Sequence, residues 1–230
     1  MIKHNNLTLI GTSHIAKESI ELVKSTFLKI NPDIVAVELD RERAFSLMHP
    51  QKKKNSIKGI KQIGITGFIF NIMGAYIEKK LGKLVGTKPG DEIRTAMILA
   101  RDNDKQVALI DQNIKITLKK LNNEITWKEK FKLIFDILFA GFNKQKIKNI
   151  NLSEVPDKKI INELIKIVKG RYPSIYKVLI KERDIFLAQN LNKLMNDYPN
   201  KEILGIVGAG HEESIITYLK NVQNENNKQD

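Results

Sequence analysis

The amino-acid sequence predicts an α/β fold with a mostly parallel sheet, covered by helices and extended by a helical insertion or subdomain. Short apolar runs bounded by turn residues alternate along the chain with segments of helical periodicity. The runs are continuous instead of alternating with polar residues, which is typical of strands buried on both faces of a parallel sheet. Alternating strands and helices therefore indicate a sheet with helices on both sides.

Four runs predict the buried strands of this sheet. They are rich in Val, Ile and Leu, and each ends at or beside a glycine or an acidic residue. The predicted strands are residues 7–11, 34–39, 107–111 and 203–208.

Helical periodicity is clear in the connecting segments. Residues 17–30 carry one apolar face and end before an Asn-Pro pair, and residues 91–103 follow a Pro-Gly turn. The stretches 41–90 and 113–202 are too long for simple crossovers and are predicted to be helical insertions. The chain is thus predicted to be one domain, with a polar, disordered tail over residues 223–230.

Composition restricts the chemistry. The chain of 230 residues has no cysteine, which excludes disulfides, thiolate metal ligands and a cysteine nucleophile. Its formal net charge of +13 permits contact with nucleic acid, acidic ligands or anionic lipid. Because aromatic and basic residues are not interleaved as in a nucleic-acid-binding face, we do not expect nucleic acid as a partner.

Location and assembly are less constrained by the sequence. The first residues lack the pattern of a signal peptide, and the longest apolar window, residues 63–77, is shorter than the roughly 20 residues of a membrane span. We expect a cytoplasmic protein, or a membrane-associated one if the chain is part of a longer protein. Lysines concentrated around residues 52–83 allow peripheral contact with a membrane, and the helical insertions allow a homodimer.

Ionisable side chains follow all four predicted strands. His14 follows the first strand, Glu38 closes the second, Asp111 closes the third, and His211 with Glu212 follows the fourth. The carboxyl ends of parallel strands share one edge of a sheet, where α/β proteins bind their ligands. We therefore expect these side chains to form a site at that edge.

Each of the two histidines stands three residues after a glycine. Gly11 precedes His14, and Gly208 precedes His211. Glycine permits a sharp turn and a close backbone approach, which would project the histidine over the edge of the sheet. A single such histidine is more often a helix cap or a hydrogen-bonded turn residue, but two such turns beside a carboxylate favour a functional site.

Glu38 ends an otherwise apolar run, and a buried glutamate requires a partner. Either it forms an ion pair with Arg41 or Arg43, or it serves as a metal ligand or general base.

Asp184 also stands where an apolar residue is expected. On the helix predicted over residues 175–195 it belongs to a stripe with Leu187 and Leu191, and Arg183 precedes it. The two charges either form a structural ion pair or belong to the site, where Arg183 would hold an anionic transition state or orient a carboxylate.

These residues stand in segments that together resemble the TraB/PrgY/GumN family, which is related to the Tiki metalloproteases and more distantly to the erythromycin-esterase and ChaN-like proteins. The segments are GTSHIAKES, VELDRERAFSL, GTKPGDEIRTAMILA, VALIDQNIKITLKKL, KERDIFLAQNL and VGAGHEESI. The resemblance places the family's Gly-x-x-His motifs on His14 and His211, and its acidic strand position on Glu38. It places the family's helical Arg-Asp pair on Arg183 and Asp184.

Two imidazoles and a carboxylate are a suitable ligand set for a divalent ion that keeps open positions for water and substrate. The predicted metal ligands are His14, Glu38 and His211, and zinc, manganese and cobalt are all compatible. The predicted catalytic groups are Glu38, Glu92, Asp111, Arg183 and Asp184. Of these, Glu92 and Asp111, together with Glu212, are candidates for a general base or for a residue that orients a ligand.

The resemblance implies a metal-dependent hydrolase of the peptidase type. The alternative is a non-catalytic regulatory protein that binds or sequesters a peptide or small anion, in the manner of a pheromone-shutdown protein. A third hypothesis is a regulator attached peripherally to a membrane through the lysine-rich helices.

Overall fold

The computed structural model of the chain describes residues 1–12, 17–49, 90–139 and 158–226. Within these ranges the sheet has five strands in the order β1-β2-β5-β3-β4. The strands are β1 Ile2–His4, β2 Leu7–Thr12, β3 Ile34–Val37, β4 Gln106–Leu109 and β5 Ile203–Gly208. β1 is antiparallel to β2, whereas the other neighbouring pairs are parallel. The mostly parallel sheet is confirmed, and β1 is an edge strand that the sequence did not predict.

Helices fill the connections between the strands. They are α1 Lys17–Ile30, α2 Arg41–Met48, α3 Asp91–Asp102, α4 Ile114–Glu124, α5 Trp127–Phe139, α6 Lys158–Arg171, α7 Pro173–Tyr176, α8 Glu182–Asp197 and α9 Glu212–Asn226. A π-helical turn, Lys177–Lys181, joins α7 to α8.

The two faces of the central strands form two apolar layers. Successive residues of a strand point to opposite faces, so β3 directs Ile34 and Ala36 to one side and Val35 and Val37 to the other. The first side packs against α8 and α9, and the second packs against α1 and α3. A continuous apolar run without polar alternation is what a strand covered on both faces requires.

The edge strand β4 differs from its prediction. Residues 107–111 were expected to form a buried strand, but Val107 and Leu109 are 38% and 37% exposed. β4 pairs with β3 on one side and is the last strand in the order of the sheet. Its apolar sequence therefore does not by itself indicate burial; the position of the strand at the edge decides its exposure.

The predicted insertions lie partly outside the described residues. Of the stretch 41–90, α2 and the residue preceding α3 are described, and the lysine-rich segment 52–83 lies outside the described ranges together with the apolar window 63–77. Helices α4 to α8 lie within the stretch 113–202. α9 continues through Asn226, so part of the segment predicted as a tail is helical. In the portion of the chain that the structure covers, no helix has the length and apolarity to cross a membrane.

A smaller apolar cluster lies among the helices that precede α8. Its buried residues are Leu121, Ile125, Ile175 and Val178. Beside it, the buried Glu129 accepts hydrogen bonds from the backbone N–H groups of Ser174, at 2.7 Å, and Thr126, at 3.0 Å. Burial alone would raise the pKa of Glu129, but these hydrogen bonds outweigh burial and lower it. The ionised carboxylate thus ties the start of α7 to the start of α5.

Candidate functional site

Glu38 follows β3 directly and is buried at the carboxyl end of the sheet. Its Oε2 accepts a hydrogen bond from the backbone N–H of Gly208 at 2.6 Å, where β5 ends. Its Oε1 accepts one from Arg183 Nη2, also at 2.6 Å. The carboxylate is therefore fixed by groups from β5 and α8.

Arg183 links two carboxylates that come from different strand ends. Its Nη2 lies 2.6 Å from Asp111 Oδ2 as well as 2.6 Å from Glu38 Oε1, and its Nε lies 3.4 Å from Asp111 Oδ1. Burial alone would lower the pKa of Arg183, but the attraction of Glu38 and Asp111 outweighs burial and raises it further above its ordinary value. Arg183 is thus a permanent cation between two buried anions.

Asp40 and Arg43 extend this arrangement. Asp40 caps α2, accepting hydrogen bonds from the backbone N–H groups of Glu42 and Arg43, and its Oδ2 lies 2.6 Å from Arg43 Nε. Arg43 Nη2 contacts Asp111 Oδ2 at 2.5 Å. Burial would raise the pKa of Asp40, but the hydrogen bonds from Arg43 lower it.

We call these five side chains the carboxylate–arginine network: Glu38, Asp40, Arg43, Asp111 and Arg183. Each of its three carboxylates contacts at least one arginine. Two of the carboxylate side chains are almost inaccessible, with exposures of 4% for Glu38 and 1% for Asp111. Because unpaired charges at such sites are strongly unfavourable, the arginines stabilise the ionised carboxylates.

Asp184 and His211 form a second arrangement beside the network, the His211–Asp184 pair. His211 stands at the turn between β5 and α9, and its Nδ1 is hydrogen-bonded to Asp184 Oδ1. Its Nε2 faces Glu38 and lies 3.6 Å from Glu38 Oε1. A carboxylate at Nδ1 selects the tautomer with its proton on Nδ1 and leaves the Nε2 lone pair available.

The end of β2 packs against the turn that follows β5. Thr12 pairs with Gly208 in the sheet, and the N–H of Ala209 donates a hydrogen bond to the carbonyl of Thr12 at 2.9 Å. A Cβ added to Gly11 would lie 2.9 Å from the Cα of Ala209. Glycine at this position is therefore required for the close approach of β2 to the turn that carries Ala209. His14 lies outside the described residues.

The π-helical turn precedes Arg183 and Asp184 in the chain. Its wider hydrogen-bonding pattern changes the phase of the following helix, and such turns occur frequently at functional sites. In the resulting orientation, Arg183 reaches Glu38 and Asp111 while Asp184 reaches His211. Two successive residues of one helix therefore serve different partners at the sheet edge.

Of the predicted residues, the structure brings together Glu38, Asp111, Arg183, Asp184 and His211. The alternative in which Glu38 pairs with Arg41 or Arg43 is wrong, because Arg183 is the arginine that holds Glu38, while Arg43 contacts Asp40 and Asp111.

Two further predicted residues are buried at the starts of helices. Glu92 lies in the first turn of α3 and Glu212 in the first turn of α9. Their roles as general base or as residues that orient a ligand stay predictions.

The importance of Arg43 and Asp40 was missed at the sequence level. Asp40 could have been identified as a helix cap, because an aspartate directly before a helical segment is a typical N-cap. The contact of Arg43 with Asp111 joins residues 68 positions apart, and no local pattern in the sequence signals it. The same is true of the Gly208 N–H that holds Glu38.

A divalent ion was predicted from these residues, and the distance between two of the predicted donors can be compared with the spacing of metal ligands. In tetrahedral coordination at about 2.0–2.1 Å, two ligand atoms lie roughly 3.4 Å apart. The 3.6 Å between His211 Nε2 and Glu38 Oε1 is close to that spacing, and Asp184 supports His211 from its other nitrogen. Among the described residues, no group of three or more His, Asp or Glu side chains has the arrangement of metal ligands. A third protein ligand would have to come from elsewhere, and His14 is the candidate.

Two cavities flank the start of α8. One, of about 170 Å³, is lined by Gln112, Lys120, Val178, Glu182, Arg183, Ile185, Phe186 and Gln189. The other, of about 250 Å³, lies on the Asp184 side of the helix. The network and the His211–Asp184 pair are thus each approached by a cavity, on different sides of one helix.

Comparison with known proteins agrees with the resemblance seen in the sequence. The model of the TraB/PrgY/gumN family matches residues 1–225. An uncharacterized protein of Methanocaldococcus jannaschii is 36% identical over 223 residues, covering 96% of this chain and 55% of its own length. A TraB domain-containing protein of Bos taurus is 23% identical over 88% of this chain and 59% of its own length. The human TraB domain-containing protein is 20% identical, covering 88% of this chain and 60% of its own length. The chain therefore spans little more than half the length of these relatives.

Proposed function

Because this chain belongs to the TraB/PrgY/gumN family, we propose that it is a metal-dependent hydrolase that cleaves peptides at the carboxyl edge of its sheet. The peptide substrate class rests on the resemblance of the family to the Tiki metalloproteases. The site itself supports hydrolysis through the arrangement of His211, Asp184 and Glu38. The observation that carries the proposal is the 3.6 Å between His211 Nε2 and Glu38 Oε1, with His211 Nδ1 held by Asp184.

In this proposal, some residues bind the metal ion and others hold those ligands in position. His211 Nε2 and Glu38, together with His14, would hold a zinc, manganese or cobalt ion, which lowers the pKa of bound water when present. Asp184 fixes the tautomer and the ring orientation of His211, as carboxylates commonly do behind metal-bound histidines. Arg183 and the Gly208 N–H hold the Glu38 carboxylate in place.

The role of Arg183 in this proposal is to orient a carboxylate. Its Nη2 already donates to both Glu38 and Asp111, and its side chain is 19% exposed. To stabilise the negative charge of a transition state directly, Arg183 would have to give up one of its hydrogen bonds to these two buried carboxylates. The structure thus favours the orienting role over direct stabilisation of an anionic transition state.

Peptide hydrolysis by metal-stripped and metal-restored protein tests the proposal. We expect turnover only after Mn²⁺, Co²⁺ or Zn²⁺ is added, and a loss of about 100-fold or more in His211→Ala. His49→Ala is the matched control, because His49 is exposed at the end of α2 and its imidazole contacts Phe45. Turnover that is independent of metal, or equal in the two variants, would refute the metal-dependent hydrolase.

One observation favours the second candidate, a non-catalytic protein that binds a peptide or small anion. Both oxygens of Glu38 are engaged by protein donors, which is the condition of a rigid binding scaffold. Under this alternative, peptide binding persists in wild type and no product forms with any of the three metals. The same assay, read for bound and cleaved peptide, therefore separates the two candidates.

A further inference from the structure

The cavity on the Asp184 side of α8, which we call the Asp184 cleft, has a lining that the proposed chemistry does not use. It has a volume of about 250 Å³ and is lined by Lys169, Tyr176, Lys181, Asp184, Ile185, Ser214 and Tyr218. Pockets that enclose a drug-sized ligand have roughly 300–1,000 Å³. The Asp184 cleft is therefore of a size to hold one end of a longer ligand.

The charges of the cleft favour an anion. Lys169 and Lys181 both line it, and within the described parts of the chain neither forms an ion pair with a carboxylate. Lys169 Nζ lies 5.5 Å from the ring centre of Tyr176, a cation–π contact that holds the ammonium at the cleft. The acidic residue of the lining, Asp184, has its Oδ1 bound to His211. Two ammonium groups against one carboxylate leave the lining with a net positive charge.

Hydroxyl groups in the same cleft can complete the binding of an anion. Ser214, Tyr176 and Tyr218 line it, and each can donate a hydrogen bond to a carboxylate oxygen. Ser214 also stands in the first turn of α9, where the helix carries a partial positive charge.

We propose that the Asp184 cleft binds a carboxylate group of the substrate peptide, either its C-terminus or an acidic side chain. The assignment rests on the proposed function, because Asp184 is shared between the cleft and the His211–Asp184 pair. A carboxylate held by Lys169 and Lys181 would lie in the cleft that Asp184 lines, and Asp184 contacts His211. The substrate class is thereby narrowed to peptides with a carboxylate close to the cleaved bond.

Binding of three probe peptides, measured by NMR titration of metal-stripped protein, tests the assignment. The probes are N-acetyl-trialanine, its C-terminal amide, and N-acetyl-glutamyl-alanine amide. We expect at least one of the two carboxylate probes to bind about tenfold more tightly than trialanine amide, since hydrogen bonds to charged groups contribute more than neutral ones. The probe that binds more tightly identifies the source of the carboxylate.

The double substitution Lys169→Gln with Lys181→Gln is expected to abolish this preference and leave amide binding unchanged. Both lysines are exposed, so the fold tolerates the change, and an unaltered melting curve checks this. Lys193→Gln is the matched control, since Lys193 is exposed on α8 and does not line the cleft. Equal binding of all three probes, or a preference that persists in the double variant, would overturn the assignment.

These readouts separate the two proposals. Binding is measured without turnover, so a carboxylate preference that depends on the lysines stands even if no metal restores hydrolysis. Conversely, wild type could hydrolyse peptides in a metal-dependent manner and yet bind the carboxylate probes and the trialanine amide with equal affinity. That result would support the proposed hydrolase and refute the assignment of the cleft to a carboxylate.

Discussion

The carboxylate–arginine network and the His211–Asp184 pair meet at Glu38, yet they are built differently. In the network, three carboxylates are matched by two arginines that come from α2 and α8. In the pair, one carboxylate holds one imidazole, whose second nitrogen faces Glu38. The charge of an arginine is permanent, and its guanidinium can bind two carboxylates at once. The network therefore joins the strand ends through charged contacts, while the pair orients a single ring nitrogen toward Glu38.

Among the substitutions proposed for the network and the pair, the loss of Arg183 should lower the unfolding free energy the most. Arg183→Met leaves Glu38 and Asp111 without their shared cation, and breaking a buried ion pair typically costs about 3–5 kcal/mol. Chemical denaturation of the wild type and the variant measures this cost. The control is Arg101→Met, whose exposed pair with Asp102 should contribute at most about 1 kcal/mol. A cost for Arg183→Met no larger than that of the control would show that the network does not hold the sheet edge.

Neutralising Asp184 should act on the pair instead. Asp184→Asn keeps an acceptor for His211 Nδ1 but removes the charge, and mutation of such supporting residues typically costs about 10–100-fold in metal affinity or activity. We expect this loss with a change in unfolding free energy below about 1.5 kcal/mol. Metal affinity and chemical denaturation should be measured on the same samples. If Asp184→Asn left the metal affinity unchanged and lowered stability as much as Arg183→Met, the network and the His211–Asp184 pair would have the same, purely structural role.

Gly11→Ala tests the packing of the end of β2 against the turn that follows β5. A Cβ at this position would lie 2.9 Å from the Cα of Ala209, and overpacking of this kind typically costs about 1–3 kcal/mol. Gly11→Ala should therefore lower the unfolding free energy by this amount and displace the turn that carries His211. Gly170→Ala is the matched control: its Cβ would meet no atom within 4 Å, and alanine in a helix is favoured by about 0.5–1 kcal/mol. A melting temperature of Gly11→Ala at or above that of wild type would show that the close approach of β2 to Ala209 is not needed for stability.

The smallest expected effect is a pH dependence within the network. Arg43 lowers the pKa of Asp40 in the folded chain below its value in the unfolded chain. The resulting stability is present above the unfolded pKa of about 3.9 and is lost as the pH falls through the folded pKa. Asp40→Asn keeps the helix cap and removes the charge, so the variant should be about 1 kcal/mol less stable at neutral pH.

The stability difference between wild type and Asp40→Asn should disappear in acid, because Asp40 is then protonated. Thermal melting of both proteins between about pH 7 and pH 2 measures this difference. Asp102→Asn, which alters an exposed pair, is expected to change little over the same range. If the stability difference between the two proteins did not change with pH, the charge of Asp40 would not contribute to the stability of the network.

The sequence predicted the parallel strands and the residues at their ends because both depend on local patterns. Continuous apolar runs indicate doubly covered strands, and Glu38 and Asp184 stood out because they are charged residues in apolar stripes. The partner of Glu38 was not predictable, since Arg183 stands 145 residues away and is brought near by α8. The exposure of β4 and the addition of β1 depend on the order of strands in the sheet, which the runs alone do not encode.

The most direct test of the proposed metal centre is calorimetric titration of metal-stripped protein with Mn²⁺, Co²⁺ and Zn²⁺. Wild type, His211→Ala and the control His49→Ala should be compared at the same ionic strength. We expect wild type and His49→Ala to bind about one ion per chain and His211→Ala to lose this binding. Absence of binding in wild type, or equal binding in all three proteins, would contradict a metal centre at the carboxyl edge of the sheet.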